Sequence, residues 1–170
     1  MKIKINPFNP DSIDAAIAQL DGYQQDLDHK CQMLVELLTS LGVTFAQEKV
    51  PVRTGTAMGS IFAYFDEDNH RGLIVAGGYC KFIEFGTGVM GLASPHPSQE
   101  YIAILNWAYN TGSTIFTTRD GRTGWYYPKD DGTWGFTQGL PSRPFMFETA
   151  QMLKEQTEEL AKEVFANGGR

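Results

Sequence analysis

Apolar positions in the first forty residues recur with the period of a helix. The stripe has intervals of four and three residues with one slot taken by Gln24, and its apolar members are Ile13, Ile17, Leu20, Leu27, Cys31, Leu34, Leu38 and Leu41. Asn9, Asp11 and Ser12 are suitable N-caps before it. Gly42 is a natural stop, and Gly22 is the place where such a helix would bend. The pattern predicts an amphipathic helix of about thirty residues.

Two apolar segments after this helix have the pattern of strands. Ser60–Phe65 and Leu73–Ala76 are joined by the polar sequence DEDNHRG, which predicts an antiparallel hairpin. The alternation in Lys2–Asn6 predicts a further short strand. Tyr79–Phe85 fits either a strand or a single helical turn, and Gly86–Pro97 is predicted to be a loop.

The later half of the chain predicts two more helices with an aromatic-rich arm between them. One helix is expected over residues 98–110, and another from Ser142, as its cap, to about Ala166. Between them GWYYP and TWGFTQG flank the turn KDDG, which predicts a β-hairpin or an ordered arm. Residues 43–50 have no clear pattern.

These elements predict an α+β fold. At 170 residues the chain has the length of one domain. We expect residues 1–170 to form it, with a long N-terminal helix, a small and mostly antiparallel sheet, a middle helix and a C-terminal helix. The aromatic-rich loop or hairpin arm would extend over residues 86–141.

Charge separates the first helix from the rest of the chain. The sequence has 14 basic and 20 acidic residues, a net charge of -6. The predicted helix carries -5 of this charge, since Lys30 stands against Asp11, Asp14, Asp21, Asp26, Asp28 and Glu36. An acidic chain is a poor reader of nucleic-acid sequence, which requires clustered Lys and Arg. The acidic face is either solvated or lines something that repels negative charge.

Cysteine usage and hydropathy predict an intracellular place of synthesis. Cys31 and Cys80 have no metal-type spacing, so free thiols in a reducing cytoplasm are expected. The first residues lack the apolar run of a signal peptide, and no apolar stretch is long enough to span a membrane. No membrane partner is expected.

Motifs that resemble ligand sites fail on their context. Gly86–Gly91 matches GxGxxG, but the next residues, LASPHPSQE, contain two prolines where the dinucleotide fold begins its helix. Asp66, Asp68 and His70 resemble the start of a calcium loop, whose required Gly and Glu are absent here. The histidines form no zinc-type pair. We therefore expect no metal and no cofactor.

Catalytic patterns are equally weak. No GxSxG nucleophile motif is present. Asp66, Glu84 and Asp120 are the loose carboxylate candidates, and nothing in the sequence distinguishes them. The sequence predicts a protein that is not an enzyme.

The aromatic segment has three interpretations. Its residues could form the core of a hairpin, an interface with another subunit, or a platform for stacked bases. Few basic residues lie between the rings, which argues against stacked bases. The interface candidates are Trp125, Tyr126, Tyr127, Trp134 and Phe136.

Three segments, in this order, resemble segments of one protein family. Pro51–Ile61 (PVRTGTAMGSI) is similar to P-x-x-T-G-x-L-x-x-S-I. Lys81–Gly88 (KFIEFGTG) and Ser142–Met146 (SRPFM) are similar to its E-F-G-T and R-P-F segments. These three motif segments resemble the gene-product-ten-like tail-component family of long-tailed bacteriophages, which includes head–tail joining and tail completion proteins. Ala57 departs from the usual Leu of the first segment, and Cys80 stands where Ala is usual.

The resemblance implies a structural virion protein at the phage head–tail junction, or neck. It implies a ring of copies, commonly six, that meets neck or connector proteins and the tail tube or terminator, and through which DNA passes without sequence-specific binding. Asp14, Asp21 and Asp28 are the candidates to face that channel. The structural motif residues are Arg53, Thr54, Gly55, Ser60, Glu84, Phe85, Gly86, Thr87, Gly88, Arg143, Pro144 and Phe145.

Three alternatives stay open. The protein could be the tail terminator that caps the tube, a host- or cell-wall-binding module, or an enzyme with dispersed carboxylates. The motif segments also raise a local question, because Glu84 lies among apolar residues and needs a partner. Arg53 and Arg143 are the expected partners, since Arg pairs with carboxylates through two hydrogen bonds.

Overall fold

The structure is a computed structural model and describes residues 3–52, 55–66, 70–109, 112 and 115–167. Its α+β architecture confirms the predicted class. The elements in chain order are α1 (Pro10–Lys49), α2 (Thr56–Gly59), β1 (Phe62–Asp66), β2 (Arg71–Val75), α3 (Cys80–Phe85), α4 (Gly88–Ala93), α5 (Gln99–Ile104), β3 (Phe116–Thr117), β4 (Thr123–Pro128), β5 (Trp134–Thr137), β6 (Gly139–Leu140) and α6 (Phe145–Asn167).

Helix α1 is longer than its pattern predicted. It begins where the side chain of Asn9 accepts a hydrogen bond from the Asp11 N–H, and it runs for 40 residues to Lys49. The expected stop at Gly42 is wrong. Residues 43–50, which have no clear pattern, are helical as far as Lys49. Gly42 is instead a packing position, because a Cβ there would collide with the side chains of Ile74 and Leu153.

The predicted hairpin of β1 and β2 is confirmed. Its antiparallel register pairs Phe62 with Val75 and Tyr64 with Leu73. One face packs on α1, where Gly72 lies against Thr39. The expected N-terminal strand is wrong for residues 3–6, which pair with no strand; Lys2 lies outside the described residues.

The core forms where the end of α1 meets the start of α6. The two helices run antiparallel, since Lys49 pairs with Glu148 and Gly42 lies beside Leu153. The cluster of buried apolar side chains consists of Ala46, Val50, Ala57, Ile61, Cys80, Ile83 and Phe145.

The connection between β2 and the arm is more helical than predicted. Tyr79–Phe85 adopts the helical alternative as α3, and the expected loop 86–97 contains the six-residue helix α4. Because α3 precedes the glycine motif, the strand–turn–helix that nucleotide binding requires is absent there. Ser98 caps α5 as predicted, but α5 ends early, before Asn106 at a positive φ of 46°.

The aromatic arm is the predicted hairpin with a third strand added. Strands β3, β4 and β5 form an antiparallel sheet in that order, with Trp125 opposite Thr137 and Tyr126 opposite Phe136. Trp125 anchors the arm, because its ring packs directly on Gly88, where a Cβ would collide with it. The arm thus begins and ends beside the second and third motif segments.

Candidate functional site

The second and third motif segments lie side by side. The Arg143 N–H donates to the Ile83 carbonyl at 2.8 Å, and the Ser142 hydroxyl donates to the Glu84 carbonyl at 2.5 Å. The Leu140 N–H donates to the hydroxyl of Thr87 at 3.0 Å. These bonds join α3 to the chain that enters α6, and we call this region the α3–α6 joint.

The carboxylate of Glu84 is the centre of the joint. It is 6% exposed and accepts hydrogen bonds from the N–H groups of Met146 and Phe147, both at 2.9 Å. N–H groups in the first turn of a helix have no partner within the helix, and that end carries partial positive charge. Glu84 therefore caps α6 from a different part of the chain.

His96 is the third partner of this carboxylate. Its side chain is fully buried, and Nε2 lies 3.2 Å from Oε1 of Glu84. The Ser98 N–H donates to Nδ1 at 3.0 Å, so Nδ1 is an acceptor and Nε2 carries the proton that Glu84 accepts. The rings of Phe85 and Phe147 pack against the imidazole. The motifs did not indicate His96, which lies between two prolines in a predicted loop.

Two expectations about this joint are corrected. Ser142 does not cap α6, because its hydroxyl is directed to the Glu84 carbonyl. Arg143 does not pair with the Glu84 carboxylate: its side chain is exposed and borders a groove of about 810 Å³ beneath the tip of the arm. Buried N–H groups satisfy the carboxylate without the desolvation of a guanidinium. Arg53, the other expected partner, lies outside the described residues, as does Thr54.

The remaining motif residues shape the backbone or fill the core. Gly55, Gly86 and Gly88 have φ values of 79°, 73° and 59°, a region that favours glycine. A Cβ on Gly86 would also press on the backbone that leads into α6. The Ser60 hydroxyl donates to the Ala57 carbonyl at 2.7 Å. Phe145 follows Pro144 and is a core residue.

The joint acts as a structural clamp between α3 and α6. Glu84 and His96 are buried and hydrogen-bonded to each other and to backbone groups, and the loose carboxylate candidates Asp66 and Asp120 lie on other elements. Across the described ranges, no three His, Cys, Asp or Glu side chains are grouped so that they could hold a metal ion.

The five aromatic interface candidates divide between the two faces of the arm sheet. Phe116, Tyr126, Trp134 and Phe136 share one face, which we call the arm face; Tyr126 is 53% exposed and Trp134 67%. Tyr126 packs against the rings of Phe116 and Phe136, with centroids 5.5 and 5.4 Å apart. Trp125 and Tyr127 are on the opposite face, Trp125 against Tyr109 and Tyr127 at the groove.

The turn between β3 and β4 places the positively charged side chain of Arg122 on the arm face. The guanidinium of Arg122 lies 5.0 Å from the centre of the Phe136 ring and pairs with Asp120 at 2.7 Å. Hydrogen bonds from the Thr118 hydroxyl and from Arg122 hold the pKa of Asp120 below its usual value. The turn also carries Arg119, so it has a net charge of +1.

The channel candidates lie on the first half of α1. Asp14, Asp21 and Asp28 are exposed and seven residues apart, which places them on one line along the helix. Each directly follows a residue of the apolar stripe. We call Ile13, Ile17, Leu20 and Leu27 the N-terminal stripe; their side chains are 38 to 53% exposed.

Comparisons with protein-family models, curated proteins and solved structures gave no match. The resemblance of the three motif segments therefore stays a prediction from the sequence. In the part of the chain that the structure describes, no helix combines the length and the apolar character needed to cross a bilayer.

Proposed function

We propose that this protein is a structural subunit of a ring at the head–tail junction of a long-tailed bacteriophage, where it completes the tail and lets DNA pass. The observation that carries the proposal is the large surface that the single chain leaves uncovered. The resemblance of the motif segments is the reason to propose this family, and the exposed surface is the reason to propose assembly.

The accessible surface of the chain is 11,907 Å². A compact monomer of 18.9 kDa is expected to expose roughly 8,300 Å², so the excess is about 3,600 Å². Obligate interfaces bury about 2,000–5,000 Å². The excess is therefore what a subunit would bury against neighbours on two sides.

The exposed surface is also unusually apolar. Large apolar side chains are exposed on α1, on the outer face of the β1–β2 hairpin and on the arm face, whereas the core cluster has seven members. Isolated exposed apolar residues are ordinary, but three contiguous surfaces of this kind mark sites of interaction. A ring subunit needs two such surfaces, one for each neighbour.

The placement of the motif segments supports the family assignment. The first contributes Ala57 and Ile61 to the core, the second contributes Ile83, and the third contributes Phe145. Segments separated by up to ninety residues thus meet in one cluster. They contribute four of the seven members of the core cluster, which supports a structural role for the three segments.

The acidic line of Asp14, Asp21 and Asp28 suits a channel for DNA. Phosphates are repelled by like charge, so a negative lumen lets DNA slide without binding it. No basic residue lies between Asp11 and Asp28 to offset this charge.

Electron micrographs of phage with a stop codon in this gene test the proposal. We expect filled heads and separate tails, restored to joined particles when the protein is supplied in trans. Overlong tails would identify a terminator instead. Intact particles that adsorb poorly would identify a host-binding module, which the exposed Trp134 also suits.

A further inference from the structure

We propose that the N-terminal stripe of α1 in one copy docks on the arm face of the next copy. This inference rests on the proposed ring and names the two surfaces that build it. The contact is heterologous, so each subunit uses its stripe on one side and its arm on the other. Such a contact closes into a ring when its rotation permits.

The stripe is an interface that the chain itself covers only in part. In the second half of α1 the stripe residues are half-buried, and the neighbouring Gly42 lies against Leu153 of α6 and Ile74 of β2. Helix α1 is about 60 Å long and α6 about 35 Å. Because α6 runs antiparallel from the far end of α1, it does not reach the start of α1. In the proposed ring, a helix or sheet face of the neighbouring copy covers the rest.

The arm face offers exposed aromatic surface for such a contact. Its four aromatic residues stand on a three-stranded sheet, and Gly124 lets the Phe136 ring lie close to the strand, since a Cβ there would meet that ring at 2.9 Å. Phe116, Tyr126 and Trp134 are 43 to 67% exposed. At about 200 Å² per aromatic side chain, these three leave on the order of 300 Å² of ring surface for a partner.

Charge selects the arm face over the other exposed apolar face of the chain. The first half of α1 is acidic, and Asp14, Asp21 and Asp28 border the stripe. The turn between β3 and β4 carries Arg119 and Arg122 against Asp120. The turn between β4 and β5 carries Lys129 against Asp130 and Asp131, so the two turns of the arm balance in charge and the positive end is the β3–β4 turn. The hairpin of β1 and β2, whose outer face exposes Phe62 and Tyr64, is joined by the acidic sequence DEDNHRG and would repel the helix.

The docked arrangement leaves the channel assignment intact. Each channel candidate is about 100° around the helix from the stripe residue that precedes it. The stripe can therefore contact a neighbour while the acidic line faces sideways, along the inner wall of the ring. The arginines of the neighbour's arm then lie where the contact between stripe and arm face borders the channel of the ring.

Mixing two variants that each lose one surface tests this geometry. The stripe variant carries Ile17→Gln with Leu20→Gln, and the arm variant carries Tyr126→Thr with Trp134→Thr. Sedimentation velocity should show that each associates at least about 100-fold more weakly than the native chain. Mixed in equal amounts, they should form a 1:1 dimer, because one intact stripe meets one intact arm.

The matched control is Phe62→Thr with Tyr64→Thr, which removes two aromatic side chains from the other face that are 53 and 55% exposed. It should assemble as the native chain does. Circular dichroism of all three variants checks that the helices remain. An arm variant that still forms dimers alone would show that stripes pair with stripes and would overturn the inference, as would a native chain that stays monomeric at millimolar concentration.

Disulfide cross-linking gives an independent readout. In a Cys31→Ala background, Leu20→Cys with Trp134→Cys should form a ladder of linked subunits on oxidation, whereas Leu20→Cys with Phe62→Cys should not. The reverse result overturns the inference while the ring proposal stands. Joined particles from the stop-codon phage would instead overturn the proposed function, whichever surfaces cross-link.

Discussion

A single carboxylate, Glu84, determines how α6 begins. Its three hydrogen-bond donors come from two backbone N–H groups and from His96, and all of them are in the α3–α6 joint. A charged acceptor buried among donors is stabilised by each of them, because hydrogen bonds to charged groups are stronger than neutral ones. The residue acts on a helix that begins more than sixty residues later.

Glu84→Gln tests this role. The amide keeps one acceptor oxygen but turns an NH₂ group towards a backbone N–H, so one buried donor loses its partner. We expect the free energy of unfolding to fall by about 2–3 kcal/mol, measured by urea denaturation.

Glu148→Gln is the matched control, because Glu148 is in the first turn of the same helix but is exposed and pairs with Lys49 at 3.5 Å. Its cost should stay below about 1 kcal/mol. Equal losses in the two variants would contradict the capping role of Glu84.

At the scale of the element, α1 is one helix with two different environments. Its second half contacts β1, β2 and α6, and its first half has an apolar stripe whose residues are 38 to 53% exposed. Two glycines mark the difference. Gly42 is in the packed half and Gly22 in the open half, where a Cβ would meet nothing within 4 Å.

Gly42→Ala and Gly22→Ala should therefore have opposite effects. Alanine stabilises a helix interior by up to about 1 kcal/mol relative to glycine. At Gly22 this gain should appear as a higher melting temperature. At Gly42 the added methyl meets Ile74 and Leu153, and overpacking should lower stability by about 1–3 kcal/mol. Thermal unfolding of both variants gives the comparison, and a stabilised Gly42→Ala chain would show that the helix is not packed there.

At the scale of the whole molecule, a small core supports a large and apolar surface. The stability of such a chain should depend on its neighbours, since association adds to the stability of the native state by mass action. We expect the melting temperature to rise as the protein concentration rises, measured by scanning fluorimetry between micromolar and millimolar chain. A melting temperature that is independent of concentration would contradict assembly.

Local pattern predicted the elements that are held by local contacts. The hairpin of β1 and β2, the hairpin of the arm and the Ser98 cap all follow from alternation, turns and capping residues. The pattern failed at Gly42, because a glycine that ends a helix and a glycine that admits a neighbour look alike in one sequence. The sequence also does not show whether Ile13 and Leu20 are buried. Periodicity indicates which residues share a helix face, but not whether another element packs on that face.

The partner of Glu84 was missed for a different reason. A carboxylate among apolar residues shows that a partner is needed, and Arg is the usual choice from chemistry alone. Backbone N–H groups belong to every residue and leave no trace in a sequence, so a helix start more than sixty residues away gives no signal. His96 has a buried role that depends on the same long-range contact.

The position of Glu84 also dictates when the protein can fold during synthesis. A ribosome that has made residues 1–140 carries α1, both sheets and α3, but neither Phe145 nor the N–H groups that Glu84 requires. Burying a carboxylate without partners is costly, so the joint has to stay open at that stage. Because contacts distant in sequence form late, we expect the nascent chain to complete its core only after residues 145–153 have emerged.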